Sequence, residues 1–374
     1  MKFRSERDVL VEALSTAGRA VGGRGAASIV LSGLLLTCEG NQLTVVGTDL
    51  DLTIRVEQEV IGLEDGSCVM PARLASDIVR SLEAGAVTVE TDDDKEKVEI
   101  SAARSRFGLR SFPVVEFPPV PPPDSPSATF PGAVLAEGLR QVVRAASSDE
   151  ARPLLTGVLM TSENGAVRLV ATDSYRLAFR DLPGGGSLPS DEDILVPSRA
   201  LAELQRLPLL TAAGEDGGSL VGMTVGAHEV TFVVGRVRIS TRLLEGSYPN
   251  YRQLVPDSYP NRLHVGKESL LGALRRVRLL VRDNTTSVRL SMRPGGVDLL
   301  VVSQEVGEAS ETVDGDFAGE ELVIAFNPSY LIDGVEAVLD DEVLIETADP
   351  SKPATVRGTD HDLYRYLLMP VRVT

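Results

Sequence analysis

Residues 267–282 read KESLLGALRRVRLLVR, a stretch in which apolar side chains recur at a helical spacing. The apolar positions follow the pattern i, i+4, i+7, i+11 and are Leu270, Leu274, Val277 and Val281. This spacing places them on one face of an α-helix. The stretch therefore predicts an amphipathic helix, which also carries one lysine and four arginines.

The same apolar spacing occurs at two earlier places, and this triplication decides the fold. The two further sets are Leu10, Leu14, Ala17 and Val21, and Leu135, Leu139, Val142 and Ala146. The first positions are 135 − 10 = 125 and 270 − 135 = 135 residues apart. A period of this length corresponds to a whole domain and is too long for a solenoid repeat.

The segments after each helix keep one order: strand-like runs, then a proline that opens a second helix, then further strands. The runs are residues 43–60, 167–182 and 297–313, and the prolines are Pro71, Pro197 and Pro328. The intervals from run to proline are 71 − 49 = 22, 197 − 173 = 24 and 328 − 304 = 24 residues. This order predicts a triplicated α+β domain, with two helices packed on antiparallel sheets in each copy.

Two segments separate the three units. Residues 118–126, PPVPPPDSP, contain too much proline for a helix or a central strand, and residues 255–261, VPDSYPN, have turn character. The predicted domains are therefore residues 1–124, 127–255 and 258–374.

Two aspartates recur at equivalent places in the strand-like runs, Asp49 in the first and Asp173 in the second. One carboxylate per domain does not make a general acid–base pair, which needs both groups close to one substrate. We therefore interpret these aspartates as turn or hydrogen-bonding residues. In the first run, alternation predicts that Leu50 lies on the apolar face of a strand.

The sequence lacks the motifs of an enzyme. It has no Walker loop, dinucleotide-binding fingerprint or nucleophile elbow, and the glycines of residues 21–28 follow a helix and indicate a flexible loop. The three histidines, His228, His264 and His361, lie far apart and lack metal-ligand spacing. We expect no enzymatic activity, no cofactor and no bound metal.

The composition is typical of a cytoplasmic globular protein. Hydrophobic residues make up 43% and charged residues 24% of the 374 positions, and no apolar stretch is long enough to cross a membrane. The start, MKFRSERDVL, shows no secretory signal. Cys38 and Cys68 lie among apolar residues, which indicates buried thiols in a reducing compartment instead of a disulfide.

Positive charge concentrates on the predicted helices, although the chain has a net charge of −17. Five windows hold 15 basic against 9 acidic residues, so the rest carries −17 − 6 = −23: residues 7–24, 71–83, 137–152, 197–206 and 267–282. Residues 328–342 break the trend, with five acids and no base. A basic helical surface would contact phosphates without reading bases. Alternatively, these helices expose ordinary solvated charged faces.

Several motifs in one order resemble the DNA polymerase III β subunit family, the bacterial sliding clamps. They are ARPLLTGV (151–158), ATDSYRLA (171–178), YPNYRQLVP (248–256), NPSYL (327–331) and YLLMPVRV (366–373). The resemblance covers essentially the whole chain. It implies a head-to-tail dimer that closes into a ring, with helices lining the hole and sheets outside. It also implies that the ring encircles duplex DNA without sequence preference, away from any membrane, and tethers polymerases, the clamp loader and other partners through their clamp-binding peptides.

The resemblance and the basic helices together predict the DNA-facing residues. Arg24, Arg73 and Arg152 match DNA-facing positions of the family. The others lie on the basic helices and are Arg80, Arg140, Arg144, Arg199, Arg206, Lys267, Arg275, Arg278 and Arg282.

In the family, partner peptides dock in an apolar pocket between the second and third domains. The matching positions are Thr172, Tyr175, Arg176, Leu177, Pro249, Leu254, Tyr330, Met369, Pro370, Val371 and Arg372. Methionine, leucine and proline suit an adaptable groove that accepts several partners. Tyr175 stands where the family usually has histidine, and Gln253 where arginine is common.

Ring closure would join the first domain of one chain to the third domain of another. We expect Leu74, Ile78, Arg104, Arg106 and Phe107 to meet Leu270, Leu271, Glu305 and Glu308. Pairing of edge strands, with basic facing acidic side chains, would set the polarity.

Two other functions stay open on the sequence alone. A hydrolase or nucleotide-using enzyme on an α+β scaffold is disfavoured because the required residues are missing. A clamp-like paralogue that scaffolds proteins without serving replication fits the same motifs.

Overall fold

The computed structural model describes residues 1–23, 28–92, 96–121, 125–163, 165–184, 188, 192–208, 219–256, 258–282, 286–359 and 363–372. The chain packs into two compact units. One unit contains residues 1–133 and 206–243, and the other contains residues 134–205 and 244–374.

Each repeat contributes a pair of helices and a set of strands. The helices are α1 (Arg7–Ala17), α2 (Ala72–Ser81), α3 (Gly132–Val142), α4 (Ser198–Gln205), α5 (Lys267–Val277) and α6 (Pro328–Ala337). The first repeat has β1 (Lys2–Glu6), β2 (Gly33–Glu39), β3 (Gln42–Thr48), β4 (Leu52–Glu59), β5 (Ile61–Glu64), β6 (Gly66–Pro71), β7 (Ala86–Thr91), β8 (Lys97–Ala102) and β9 (Ser105–Arg110). The second has β10 (Ala128–Pro131), β11 (Gly157–Glu163), β12 (Ala166–Thr172), β13 (Arg176–Leu182), β14 (Ile194–Pro197), β15 (Leu220–Val225), β16 (Glu229–Val234) and β17 (Val237–Arg242). The third has β18 (Asn261–Gly266), β19 (Val288–Arg293), β20 (Gly296–Ser303), β21 (Gly307–Ala318), β22 (Leu322–Phe326), β23 (Glu342–Thr347), β24 (Ala354–Gly358) and β25 (Tyr364–Leu368).

The strands form antiparallel sheets, two in the first unit and one in the second. The first unit holds a five-stranded sheet, β5-β1-β7-β8-β9, and an eight-stranded sheet, β10-β15-β16-β17-β4-β3-β2-β6. The second unit holds a twelve-stranded sheet, β14-β11-β12-β13-β25-β24-β23-β18-β21-β20-β19-β22. Strands of neighbouring repeats pair directly, β17 with β4 and β13 with β25. The second repeat therefore shares a sheet with each of its neighbours, which is why the compact units divide it.

The first helix of every repeat confirms the predicted apolar face. In α5, Leu270, Leu274 and Val277 are fully buried, and the equivalent residues of α1 and α3 are buried too. Each of these three helices has eleven residues and continues into a three-residue 3₁₀ turn. The fourth predicted position, Val281 in the third repeat, therefore lies beyond the helix and is only half-buried.

The prolines mark the second helices, but only one of them lies in a first helical turn. Pro328 is the first residue of α6, where its missing N–H costs nothing. Pro71 is the last residue of β6 and caps α2, and Pro197 ends β14 just before α4. The strand and the helix thus follow each other without a connecting loop at these two places.

Each strand-like run is a hairpin of two strands. The first run divides into β3 and β4, the second into β12 and β13, and the third into β20 and β21. The prediction that Leu50 lies on a buried strand face is wrong, because Leu50 sits in the turn, where its side chain is 52% exposed. Its φ of 83° is the left-handed conformation that allows the tight turn.

The two recurring aspartates organise these turns, as interpreted from the sequence. The Asp49 carboxylate accepts hydrogen bonds from the backbone N–H groups of Asp51 (3.1 Å) and Leu52 (2.8 Å). Asp173 accepts from Tyr175 (2.9 Å) and Arg176 (3.0 Å) in the same way. Because the side chain replaces backbone acceptors, one residue fixes the turn in each of the first two repeats.

Both cysteines are buried free thiols, as predicted. Burial raises the pKa of Cys68 to about 12, so its thiol is neutral at physiological pH. The predicted flexible loop at residues 21–28 includes residues 24–27, which lie outside the described residues.

We predict that Asp49→Ala lowers the free energy of unfolding by about 1–3 kcal/mol, because two backbone N–H groups lose their acceptor. Urea denaturation followed by circular dichroism measures this change. Asp51→Ala is the matched control, since the Asp51 side chain is exposed in the same turn and should change stability by less than about 0.5 kcal/mol. Equal effects of the two substitutions would contradict the role given to Asp49.

Candidate functional site

The turn between β12 and β13 carries the first group of predicted pocket residues. Thr172 donates a hydrogen bond from its hydroxyl to the Arg176 carbonyl (2.6 Å), and the same hydroxyl accepts from the Ser174 N–H (3.2 Å). Ser174 has a φ of 79°. With Asp173 buried beneath it, this turn holds the Tyr175 side chain outward, where 60% of it is exposed.

Arg176 is the most constrained charged group of the turn. Its guanidinium donates to the Asp173 carboxylate (3.0 Å) and to the Asp333 carboxylate of α6 (2.6 Å), and it lies over the Tyr330 ring at 4.3 Å. Burial acts to lower the pKa of Arg176, but Tyr366, Asp333 and Asp173 raise it by more. Arg176 therefore stays charged. Because its position is fixed, it can bind a carbonyl or carboxylate group of a ligand only in this geometry.

The last strand of the chain, β25, positions Tyr330. The Tyr366 hydroxyl of β25 donates to the Tyr330 carbonyl (2.9 Å), and Tyr366 is almost completely buried. Gly334 of α6 allows this packing, because a Cβ atom there would lie 2.5 Å from the Tyr366 ring. The α6 helix can therefore approach β25 only at a glycine.

The floor of the candidate pocket is an apolar cluster. Leu177 is 2% exposed and packs with Leu159, Phe179, Tyr251 and Leu367, among others. The cluster extends through β11, β12, β13 and β25. A side chain that docks above it would meet a dry, closely packed base, which favours apolar anchors.

The residues after β25 lie beside the turn. The Met369 N–H donates to the Tyr175 carbonyl (2.9 Å), and the Val371 N–H donates to the Ala325 carbonyl of β22 (2.8 Å). The side chains of Met369 and Val371 are 42% and 40% exposed. Two backbone hydrogen bonds thus leave apolar side chains accessible at the surface, with Pro370 half-buried and Arg372 exposed beside them.

Pro249 and Leu254 complete the predicted set. Pro249 is exposed and lines a cavity of about 410 Å³ whose wall includes Tyr251 and Leu159 of the floor cluster. Leu254 ends the 3₁₀ turn that begins at Tyr251, and its side chain is 49% exposed. Gln253 on the same turn is exposed. The structure therefore brings both residues to the edge of the cluster that carries Leu177.

Some of the predicted DNA-facing residues form hydrogen bonds or ion pairs within the protein, whereas others are exposed to solvent. Arg140 donates to the Glu336 and Ala337 carbonyls at the end of α6 (3.3 and 2.9 Å), and Lys267 donates to the Val338 carbonyl (2.6 Å). These cations cap the carbonyl end of the α6 helix, where positive charge is favourable. Arg140 and Lys267 therefore stabilise the fold through these contacts.

Arg144 and Arg275 meet the acidic face of α6. Arg144 contacts the Glu336 carboxylate at 2.5 Å and Asp333 at 3.9 Å, and Arg275 contacts Glu336 at 3.0 Å. Arg144 first, and then Arg275, hold the pKa of Glu336 below its usual value. Two of the five acids that broke the basic trend in the sequence, Asp333 and Glu336, are therefore counter-ions of basic residues on α5 and on the 3₁₀ turn after α3.

The other predicted DNA-facing residues within the described part of the chain are open to solvent. The Arg73 side chain is 89% exposed and the Arg80 side chain is 60% exposed. Arg152 pairs with Asp149 at 2.9 Å. Four more are exposed, namely Arg199, Arg206, Arg278 and Arg282. Arg24 lies outside the described residues.

Three of the predicted dimer residues of the first repeat lie at an exposed edge strand, and the other two lie on α2, where one needs a correction. Arg106 and Phe107 belong to β9, the edge of the five-stranded sheet, and Arg104 precedes it; all three are exposed. Leu74 is 50% exposed on α2. Ile78 is only 8% exposed, because it packs inward from the same helix, and it presents little surface to a second chain.

The third repeat requires a larger correction. Leu270 and Leu271 are 0% and 1% exposed, because they lie on the buried face of α5, and they cannot form a surface for another chain. Glu305 and Glu308 are exposed where β20 meets β21. Among the described residues of this repeat, the most exposed leucine is Leu279, at 76%, in the 3₁₀ turn after α5.

The described residues contain no group of three or more histidine, cysteine, aspartate or glutamate side chains placed to hold a metal ion. Among these same residues, no helix is long and apolar enough to span a membrane.

Family models match each of the three repeats. The DNA polymerase III beta subunit N-terminal domain matches residues 1–121, the central domain residues 129–250, and the C-terminal domain residues 252–372. The fold therefore defines a class of protein with three repeats of one α+β domain and a candidate surface pocket formed at a turn. The chain belongs to the DNA polymerase III beta subunit family.

Relatives and solved structures agree over the full length. The beta sliding clamp of Streptomyces coelicolor is 35% identical over 381 residues, with 100% of both chains covered. The beta sliding clamp homolog GriR of Streptomyces muensis is 32% identical and covers 100% of this chain and 99% of that protein. The DNA polymerase sliding clamp from Bacillus subtilis superimposes with a TM-score of 0.89 at 28% identity, and a DnaN sliding clamp from Bartonella birtlesii bound to griselimycin with 0.91 at 27%, each with full coverage of both chains.

We predict that Gly334→Ala destabilises the protein by about 1–3 kcal/mol, because the added methyl group must displace the Tyr366 ring. Thermal unfolding measures this effect. Gly272→Ala in α5 is the control, since a Cβ atom there meets only the mobile end of Arg276 at 3.3 Å and alanine favours the helix. A neutral result at Gly334 would show that α6 and β25 are less closely packed than the structure indicates.

Proposed function

We propose that this chain is a sliding clamp whose two copies close a ring around duplex DNA and hold polymerases on it. The observation that carries this proposal is the match of successive family models to all three repeats, together with full-length likeness to sliding clamps. A protein with this role needs no catalytic residues, and we infer that it has no enzymatic activity of its own. We also infer a cytoplasmic location, because the DNA that it would encircle lies there.

The state of the arginines supports non-specific DNA contact. Arg144, Arg152 and Arg275 already have carboxylate partners, so a phosphate must compete with these acids. Such contacts are individually weak, and the strongly negative net charge keeps the rest of the chain away from DNA. Encirclement would then provide retention, while weak contacts allow sliding.

The pocket supports peptide docking. Its base is the apolar Leu177 cluster, its rim carries Tyr175, Met369 and Val371, and Arg176 supplies one fixed charge. Clamps from Pseudomonas aeruginosa and Bartonella birtlesii have been solved bound to griselimycin. We expect griselimycin and clamp-binding peptides of polymerases to occupy this pocket here.

Ring closure would use the edge strand β9. Within β9, Leu109 is the only buried residue, and an edge with free backbone groups can pair with a strand of another chain. Arg104, Arg106 and Phe107 would then meet the exposed acids Glu305 and Glu308. The exposed Leu279 replaces the buried Leu270 and Leu271 as the apolar contribution of the third repeat.

We predict that the protein, once loaded by a clamp loader with ATP, stays on nicked circular DNA and leaves when the circle is linearised. Gel filtration of labelled protein with DNA before and after cutting measures the retention. A clamp-like scaffold without a replication role would show no retention on either DNA. Equal retention on linear and circular DNA would contradict encirclement.

We predict that Arg106→Glu weakens the dimer, because it places a negative charge against Glu305 and Glu308. Analytical ultracentrifugation at submicromolar protein measures the shift toward monomer. Arg110→Glu is the control on the same strand, at its far end. An unchanged dimer in Arg106→Glu would remove this pairing from the proposal.

A further inference from the structure

The two carboxylates of α6 that face basic residues link the predicted DNA surface to the predicted peptide pocket. Asp333 contacts the pocket residue Arg176 at 2.6 Å and approaches Arg144 at 3.9 Å. One turn further along α6, Glu336 contacts Arg144 at 2.5 Å and Arg275 at 3.0 Å. Charges therefore alternate continuously from Arg275 to Arg176 through this one helix.

The ends of this network differ in accessibility. The side chains of Arg144 and Arg275 are 43% and 52% exposed, so a phosphate can reach them. The Arg176 side chain is 11% exposed and is held between Asp173, Asp333 and the Tyr330 ring. The carboxylates therefore connect the exposed end of the network directly to its buried end.

A phosphate that binds Arg144 and Arg275 draws both guanidinium groups away from α6. Asp333 then loses its second cation and interacts with Arg176 alone. Because Arg144 and Arg176 carry like charges and share the Asp333 carboxylate, moving Arg144 away removes a repulsion on Arg176 and leaves that carboxylate to Arg176, which is then held more firmly over Tyr330. A pocket already fixed in its binding geometry binds a ligand more tightly, since less ordering remains to be done.

We propose that Asp333 and Glu336 are positioning residues that couple phosphate contact at Arg144 and Arg275 to peptide binding at Arg176. Peptides would therefore bind the DNA-associated protein more tightly than the free protein. This coupling rests on the proposed sliding-clamp function and specifies how one of its sites regulates the other. By linkage, peptide binding must strengthen duplex binding by the same factor.

The test measures the affinity of fluorescein-labelled griselimycin by fluorescence anisotropy, with and without a saturating linear duplex at low ionic strength. We expect the duplex to tighten griselimycin binding roughly two- to tenfold in the wild-type protein. Titrating the duplex with and without unlabelled griselimycin should give the same factor. Asp333→Asn should reduce the factor to below about 1.5, and Asp333→Glu should restore most of it because the charge is kept.

Arg276→Gln is the matched control for Arg275→Gln. Arg276 is the neighbouring arginine on α5, and its guanidinium pairs with Glu311 of β21 at 2.7 Å instead of with α6. Arg276→Gln should keep the coupling, whereas Arg275→Gln should diminish it. Circular dichroism confirms that each variant is folded.

Each of the following outcomes would contradict the coupling, its path through α6 or the proposed function. If both ligands bind the wild-type protein but neither alters the affinity of the other, the coupling is absent. If Asp333→Asn keeps the full factor, the coupling does not pass through α6. If the wild-type protein binds neither duplex nor griselimycin, the proposed function itself fails, and the coupling fails with it.

Discussion

The pairing of β13 with β25 is the interaction on which the candidate pocket depends. It aligns Arg176 with Leu368, so the turn at the start of β13 lies next to the residues that leave β25. The bond from the Met369 N–H to the Tyr175 carbonyl continues this ladder by one step. Main-chain hydrogen bonds thus place residues nearly two hundred positions apart at one site, and side chains need only refine the geometry.

Charged side chains on the helices are arranged so that acids neutralise nearby bases. The α6 helix contributes no base among residues 328–337, and its acids neutralise Arg144, Arg176 and Arg275. Without them, three guanidinium groups would repel one another close to a buried site. In the proposed function, the carboxylates that pair with Arg144 and Arg275 in the free protein would compete with phosphate for them, which keeps those contacts exchangeable.

The sequence predicted what local periodicity and repetition can encode. Three copies of one apolar spacing specified the first helices and the triplicated α+β fold, and the recurrence of Asp49 and Asp173 identified the turns. The spacing placed Leu270 on the apolar face of a helix, yet Leu270 and Leu271 were also assigned to a contact with another chain, although both are buried in the fold. The spacing did not show Asp333 as a pocket residue, because its partner Arg176 lies 157 positions away. The run of five acids with no base in residues 328–342 was the available signal.

The edge strand β9 has a consequence for how copies of the chain can associate. Its exposed positions include Arg106 and Arg110, Arg104 precedes it, and no acidic residue lies within it. Two such edges brought together would set guanidinium against guanidinium, so a symmetric pair of identical edges is unfavourable. An unlike, acidic surface is therefore the more favourable partner for this strand, and such a contact would be directional. A strand that repels its own copy also resists the stacking of like edges that begins fibril growth.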